Sequence, residues 1–440
     1  MANSRAPLIA LGMVLVARLA LAGTTGIVED EAYYWTWSQR LAGGYYDHPP
    51  AIAFVIAASD ALFGATSLGV RAGTVLAGTL AAAVLLREAR DRWLYVLILA
   101  ALPLYTLGGV LATPDAPMLA GWAVGLAGAM RGDWRMAGLG AGVAGLSKYT
   151  GWGLWPLLLM AEPRAWKAML PGMAITALCI APNLLWNAQH DWVSVRFQLD
   201  HGLGAREPAV IEYLLGQVGL VSPVLFGAVV VWWAVTWKAV GWRGDRIDRI
   251  CWWTSLPVFV FFLLAASRTH GEPNWPAPAW LGAAVGLSRA GGRIARAAWV
   301  GGGLAAVLSL LVAVHLYTPV IDLPRDPTAR LGLGRTLTQS VQAWGIEPVY
   351  TERYQEAALI QFYEGLAACA LPGVGRMDQY DLWGCPPAES ALFVRPYRSG
   401  DTLPTDDRCD TRGPVNVVSE RGDDGNVIDR WQVYEVHGCR

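Results

Sequence analysis

The chain has 440 residues, of which 54% are hydrophobic and only 16% charged, and its net charge is −1. A soluble protein of this length needs more charged surface than that, and a balance so near neutral gives no sign of a nucleic-acid partner. A mean hydropathy of +0.34 and 22 Trp, many beside polar loops, point instead to a polytopic membrane protein. Indole favours the bilayer interface, where its ring is half apolar and its N–H can reach water.

A bilayer core needs about 20 apolar residues per helix. On that scale spans are predicted near residues 7–26, 66–86, 93–112, 115–130, 136–149, 151–161, 168–186, 210–236, 250–266, 276–288 and 297–317, eleven in all. Only the polar Ser147-Lys148-Tyr149-Thr150 divides the short pair around 136–161. The stretch 51–63 is too short to span and is placed at the interface. The first span could serve as a cleaved signal peptide, with Arg5 before it and Ala20-Leu21-Ala22-Gly23 as the cleavage site. An uncleaved helix is preferred, because the loop after it needs an anchor.

Alternate loops carry the basic residues. One set holds Arg87, Arg90 and Arg92, then Arg131 and Arg135, Arg164 and Lys167, Lys238, Arg243, Arg246 and Arg249, and finally Arg289, Arg293 and Arg296. The other holds only Arg40, Lys148, Arg196, Arg206 and Arg268. The positive-inside rule assigns the first set to the cytoplasm. An odd number of spans then puts the C-terminus outside.

Polarity changes near Tyr317–Asp322, so residues 1–318 are predicted as a membrane domain and 319–440 as a small soluble α/β domain. Helical character is expected over 352–364, and strands over Ala391–Pro396, Val415–Ser419 and Trp431–Val436. Cys179 and Cys251 lie in apolar runs, whereas Cys369, Cys385, Cys409 and Cys439 all lie in the polar tail. An even number in one soluble domain suggests two disulfides and an oxidising compartment, against the alternative of four free thiols. Cys369–Cys385 and Cys409–Cys439 is the expected pairing.

Polar residues gather in the outer loops. The first reads Glu29-Asp30-Glu31-Ala32-Tyr33-Tyr34-Trp35-Thr36-Trp37-Ser38-Gln39-Arg40. Its aromatics suit an interfacial helix, which Gly43-Gly44 is expected to end. Tyr45-Tyr46-Asp47-His48-Pro49-Pro50 follows, and the paired prolines make a rigid turn that could present Asp47 and His48. Its plainer reading is a solvated acidic loop. In Thr113-Pro114-Asp115-Ala116-Pro117 a lone carboxylate stands between apolar spans, as a functional acid or a helix N-cap. Lys148 is a lone cation between short spans, able to bind a lipid phosphate or merely to snorkel, and Arg18 within the first span raises the same question.

Two later outer loops complete the set. One is Trp186-Asn187-Ala188-Gln189-His190-Asp191-Trp192 running on to Arg196, Gln198, Asp200 and His201; the other is Arg268-Thr269-His270-Gly271-Glu272-Pro273-Asn274-Trp275-Pro276. Aromatics beside acids and amides are what a sugar site requires, although an aromatic belt accounts for any single Trp. No P-loop, His-Glu-x-x-His, Gly-x-Ser-x-Gly or metal-spaced Cys/His set is present.

The ordered pieces Asp30-Glu31-Ala32-Tyr33-Tyr34, Tyr46-Asp47-His48-Pro49-Pro50, Thr113-Pro114-Asp115-Ala116-Pro117, Ser147-Lys148-Tyr149-Thr150 and Glu272-Pro273-Asn274-Trp275-Pro276 resemble the membrane glycosyltransferases of the GT-C class. The resemblance is to the branch that joins protein O-mannosyltransferases to lipid A aminoarabinose and galacturonic acid transferases. Tyr354-Gln355-Glu356-Ala357-Ala358 and Gln379-Tyr380-Asp381-Leu382-Trp383 resemble pieces of the outer domain in bacterial relatives.

The resemblance implies an inverting transfer at the outer membrane face, from a monosaccharide carried on a polyprenyl phosphate such as undecaprenyl phosphate. Asp30 matches the family's catalytic acid, with Glu31 beside it. His48 stands where lipid-modifying relatives carry a lysine near the donor phosphate, which would make that charge pH-dependent. Lys148, Arg268 or Arg18 would then supply permanent charge. Tyr33, Tyr34, Tyr45, Asp47, Asp115, Glu272, Asn274 and Trp275 are the expected sugar and acceptor contacts. No metal is expected to be obligatory, although Asp30, Glu31, Asp47, His48 and Asp115 could gather around a divalent cation. The acceptor is expected to be lipid A or another envelope glycolipid or glycan. Protein O-glycosylation is the alternative within the class, and a lipid or sugar transporter is the alternative outside it. Transporters bind near the midplane between inverted repeats, and no such repeat is found.

Overall fold

The computed structural model describes residues 5–106, 108–204, 207–238, 243–269, 271–318, 330–398, 409–421 and 427–439. Arg206, His270 and Asp322, which enter the readings above, lie outside them. The fold is mainly helical, with one small sheet near the C-terminus.

Each predicted span contains helix, yet fewer are long enough to cross a bilayer alone. Among the described residues five helices have the length and apolarity: Ala6–Thr24, Ser67–Leu85, Pro163–Gln189, Arg246–Ala266 and Gly292–His315. Val210–Val221 and Pro223–Thr236 would make a sixth, but they meet at 108°. Ser222 has φ +85° there and precedes a proline, so the backbone turns where sequence alone reads one continuous apolar run. The predicted span 93–112 is likewise broken before Pro103, giving Arg92–Ala101 and Pro103–Thr106. Helices Asp115–Arg131 and Trp134–Ser147 pack with little side chain between them. A Cβ added at Gly121 would meet Ala144 N at 2.5 Å, and one at Gly140 would meet Gly125 N at 2.2 Å, which is how small residues bring membrane helices together.

The two sets of loops separate to opposite ends of this bundle. At one end the arginine-rich connections meet each other: Arg131 pairs with Glu88 at 2.8 Å, Arg246 and Arg249 both reach Glu162, and Arg289 bonds Asp248 at 2.6 Å and Asp245 at 2.5 Å. At the other end the first acidic loop shares a core with the C-terminal residues. Ile27, Tyr33 and Trp37 pack in one cluster with Tyr350, Phe362 and Tyr380.

The sheet has the order β2-β1-β3-β5-β4, with β1 Val349–Thr351, β2 Ala368–Ala370, β3 Ala388–Pro396, β4 Asp410–Arg421 and β5 Val427–Cys439. β1 is parallel to β2 and β3, while β3–β5 and β4–β5 are antiparallel. The three strands read from sequence are present but longer. β1 and β2, of three residues each, are too short to leave a periodic signal. The expected helix is Tyr354–Glu364. Both expected disulfides form, Cys369–Cys385 and Cys409–Cys439, with Cys179 and Cys251 free. Closing loops of 16 and 30 residues restricts the unfolded chain, so reduction is expected to remove about 3 kcal/mol per bond. A lower unfolding midpoint in dithiothreitol, read by far-UV circular dichroism, checks this.

Candidate active site

The first outer loop forms a helix, Glu29–Ser38, but it is buried against protein rather than laid along an open interface. Tyr33, Tyr34 and Trp37 are all buried. The helix ends at Ser38, ahead of the glycines expected to stop it. Gly44 does other work there: a Cβ would lie 2.6 Å from the Trp186 ring and 2.7 Å from the Asn183 amide. The bare backbone thus lets the loop seat on helix Trp166–Gln189.

Neighbouring positions on this helix point in different directions. Asp30 faces a cavity of about 970 Å³, and the Tyr354 hydroxyl donates to its Oδ1 at 2.9 Å. Glu31 does not reach the cavity. Its carboxylate is fully buried and held bidentately by Arg71, Nε–Oε1 at 2.7 Å and Nη2–Oε2 at 2.5 Å. It also accepts the N–H groups of Val28 and Ala112. Every lone-pair direction is occupied, so Glu31 is a structural anchor and not a second catalytic acid.

The rigid Asp47-His48-Pro49-Pro50 turn places both polar side chains on the cavity wall. Asp47 Oδ1 accepts from Arg376 Nη2 at 2.9 Å, and Gln198 bonds the Asp47 carbonyl at 2.7 Å. Burial pushes the Asp47 carboxyl up to about 6 against the opposing pull of Arg376. His48 departs from expectation. Burial, reinforced by Lys148, His201 and Arg376, takes it down to about 3, so at neutral pH it is an uncharged imidazole with no cationic role. Its buried Nδ1 has no hydrogen-bond partner among the described residues.

Asp115 begins helix Asp115–Arg131 but does not cap it. Its two oxygens take Lys148 Nζ at 2.8 Å and Asn274 Nδ2 at 2.9 Å. Lys148 sits at the extended residue that ends helix Trp134–Ser147, and turns inward to the cavity rather than out along the interface. Three separate loops thereby meet on one carboxylate. Tyr33, Tyr34, Glu272, Asn274 and Trp275 also line the cavity.

Besides Glu31, three predicted site residues lie elsewhere. Tyr45 is buried, stacked on Trp37 at 4.5 Å between ring centroids, and its hydroxyl serves the backbone at Trp37, Arg40 and Ala42. Arg18 is buried in the first helix within 3.4 Å of the Leu99 carbonyl, beside a separate void of about 20 Å³. Arg268 is exposed just past the end of helix Leu256–Ala266 and does not line the cavity. Of the fourth outer loop, Gln198 and His201 reach the cavity, whereas Trp186 and His190 stack on each other at 4.0 Å.

Sequence reading missed two wall residues, Arg376 and Tyr354. The Arg376 guanidinium lies over the rings of Phe197 and Tyr354, 5.0 Å from each centroid, while the Tyr354 ring packs at a tilt on Tyr33, 4.2 Å between centroids. Among the described residues no group of three or more His, Cys, Asp or Glu side chains is placed to hold a metal ion. Glu31, Asp47 and Asp115, which might have gathered around one, are each spoken for by a cationic side chain.

The cavity wall carries the polar Asp30, Asp47 and Lys148 and also the apolar Leu157, Val258, Phe261 and Phe262. It can therefore hold a polar group against the acids and a long apolar chain beside the helices.

The family model for dolichyl-phosphate-mannose-protein mannosyltransferase matches residues 47–186. Lipid A galacturonosyltransferase RgtD of Rhizobium johnstonii is 32% identical over 305 residues, a match covering 63% of this chain and 63% of that relative's length. Two crystal structures of ArnT from Cupriavidus metallidurans share the fold. The apo form has a TM-score of 0.68 at 16% identity, covering 99% of this chain and 98% of the other. The form bound to undecaprenyl phosphate has a TM-score of 0.67 at 17% identity, covering 97% of each. The archaeal oligosaccharyltransferase AglB from Archaeoglobus fulgidus aligns with a TM-score of 0.53 at 11% identity, over 89% of this chain and 69% of that one. Over part of its length in sequence and over nearly all of it in fold, this chain is similar to membrane glycosyltransferases.

Proposed function

We propose that the protein transfers a monosaccharide, with inversion, from a polyprenyl phosphate to lipid A or another cell-envelope glycolipid. One observation carries the reading: the Asp30, Asp47, Asp115 and Lys148 loops converge on a single cavity whose wall holds both charged and long apolar side chains. This convergence also favours an enzyme over a transporter, whose site would lie between repeats at mid-membrane depth. The RgtD relative, named for lipid A and galacturonic acid, and the ArnT complex with undecaprenyl phosphate favour a glycolipid acceptor and an undecaprenyl-phosphate donor.

In this reading the eleven apolar segments all cross or enter the membrane of a bacterial cell. The arginine-rich end faces the cytoplasm, and residues 319–440 form a periplasmic domain. Asp30 removes the proton of the acceptor hydroxyl, whose oxygen attacks the anomeric carbon. The bond from that carbon to the phosphate oxygen breaks, and its electron pair leaves on the polyprenyl phosphate. Lys148 stabilises the leaving phosphate, exchanging part of its contact with Asp115. His48, uncharged, contributes a hydrogen bond rather than a charge. A phosphate is already a competent leaving group, so no step needs a metal.

Lys148→Gln is expected to weaken binding of undecaprenyl phosphate roughly 10- to 100-fold, as loss of a hydrogen bond to a charged group implies. Equilibrium binding of the lipid in detergent measures this. Unchanged affinity would remove Lys148 from the donor site. Transfer of labelled sugar from undecaprenyl-phosphate donors into a lipid extract tests the reaction itself.

A further inference from the structure

Both acids of the first outer loop that face the cavity are held by residues more than 300 positions away. Tyr354 bonds Asp30 and Arg376 bonds Asp47. We propose that Tyr354 is a positioning residue for Asp30, donating to Oδ1 so that Oδ2 alone faces the acceptor hydroxyl in its proton-accepting form. This rests on the transferase reading above.

The geometry fixes the donor from several sides. The Tyr354 ring packs on Tyr33, tilted by 34° with 4.2 Å between centroids, and lies beneath the Arg376 guanidinium at 5.0 Å. Tyr33 is itself pinned, because its hydroxyl accepts the Gln379 N–H at 2.7 Å, while the Gln379 side chain accepts the Tyr46 N–H at 2.8 Å. Arg376 is tied to Asp47 and packs on Phe197. The Tyr354 hydroxyl therefore has one defined place, and Asp30 occupies it. A free carboxylate would rotate, presenting either oxygen in either direction. A carboxylate with one oxygen fixed presents the other at a constant angle, which a general base requires.

Asp30 titrates in a charged neighbourhood. Burial, Glu29 and Asp47 oppose its ionisation, while Tyr354, Arg330 and Arg376 support it, and the Tyr34 hydroxyl also faces it. Removing the Tyr354 hydroxyl takes away a hydrogen bond to the charged form. The carboxyl should then hold its proton to higher pH, and the acid limb of the rate profile should move upward.

The test uses the full chain in detergent with an undecaprenyl-phosphate sugar and lipid acceptor. Tyr354→Phe keeps the ring that packs on Tyr33. It is expected to lower kcat about 10-fold and to move the acid limb of kcat/KM upward by about one pH unit, with undecaprenyl-phosphate affinity unchanged. Placing 3-fluorotyrosine at position 354, a stronger donor of the same shape, is expected to move that limb downward. In the Asp30→Asn background, Tyr354→Phe should have little further effect, because the two residues act through one contact. An unmoved limb in both variants, or full additivity with Asp30→Asn, overturns the proposal while leaving the transferase reading intact. Absence of transfer by the unaltered protein overturns both.

Discussion

Arg71→Leu is expected to destabilise the protein by about 3–5 kcal/mol, enough to prevent recovery of a folded chain. The substitution leaves the Glu31 carboxylate fully buried without its cation. The guanidinium does more than neutralise it. Nη1 also donates to the Thr25 hydroxyl at 2.8 Å and the Thr25 carbonyl at 3.1 Å, and Nη2 donates to the Gly26 carbonyl at 2.7 Å. Glu31 in turn takes the Ala112 N–H at 2.7 Å. One ion pair thus ties the exit of the first helix, the Asp30 helix and the approach to Asp115. Thermal unfolding in detergent, followed by tryptophan fluorescence, measures the loss. Replacing both partners, Glu31→Met with Arg71→Leu, is expected to recover part of it, since no buried charge is then stranded. A single variant that unfolds at the unaltered midpoint would show that the pair does not organise this end of the bundle.

Asp30→Asn carries the largest expected effect on rate, a fall of about 10²–10⁴-fold in transfer, the range supplied by a general base. The amide is nearly isosteric, so the fold and donor affinity should persist. Burial holds the Asp30 carboxyl above its ordinary range. Because the reacting form is the deprotonated one, the rate of the unaltered protein should fall as pH drops through that raised value, at a higher pH than an exposed aspartate would give. Initial rates across pH, with donor binding measured in parallel, check both statements. Transfer by Asp30→Asn at more than a tenth of the normal rate would mean that another group takes the proton.

Much of the site was legible because its residues are polar groups stranded between apolar runs. Asp115 and Lys148 were visible on that ground alone, Asp47 through its rigid proline turn and Asp30 through its match to the family's catalytic acid, and all four line the cavity. Glu31 shares the same local signal but sits one position further along a helix, about 100° around it, and so faces the protein interior. The charge that explains it was also in view: Arg71 lies within an apolar run, and an ionisable residue there calls for a partner. His48 was misjudged because a solution value was assigned to a group whose burial sequence does not reveal.

Tyr354 and Arg376 could not be found in this way. Tyr354 begins the motif Tyr354-Gln355-Glu356-Ala357-Ala358, which carries no site role by itself, Arg376 belongs to no motif, and only folding of the C-terminal residues against the first loop brings them to Asp30 and Asp47. The bend at Ser222 was hidden for a related reason. The apolar run 210–236 is long enough to span, and Pro223 at the start of a helix gives no warning that the helix before it approaches at 108°.

The most direct measurement of the central claim is transfer itself. The purified protein is given a panel of undecaprenyl-phosphate sugars with total envelope lipid as acceptor, and the anomeric configuration of any product is determined. The expected result is one sugar moved to a lipid with inverted configuration by the unaltered chain, lost with Asp30→Asn. Donor lipids that bind without transfer to any lipid, protein or polysaccharide acceptor, yet cross the bilayer when the protein is reconstituted in vesicles, would contradict it and make the cavity a conduit instead.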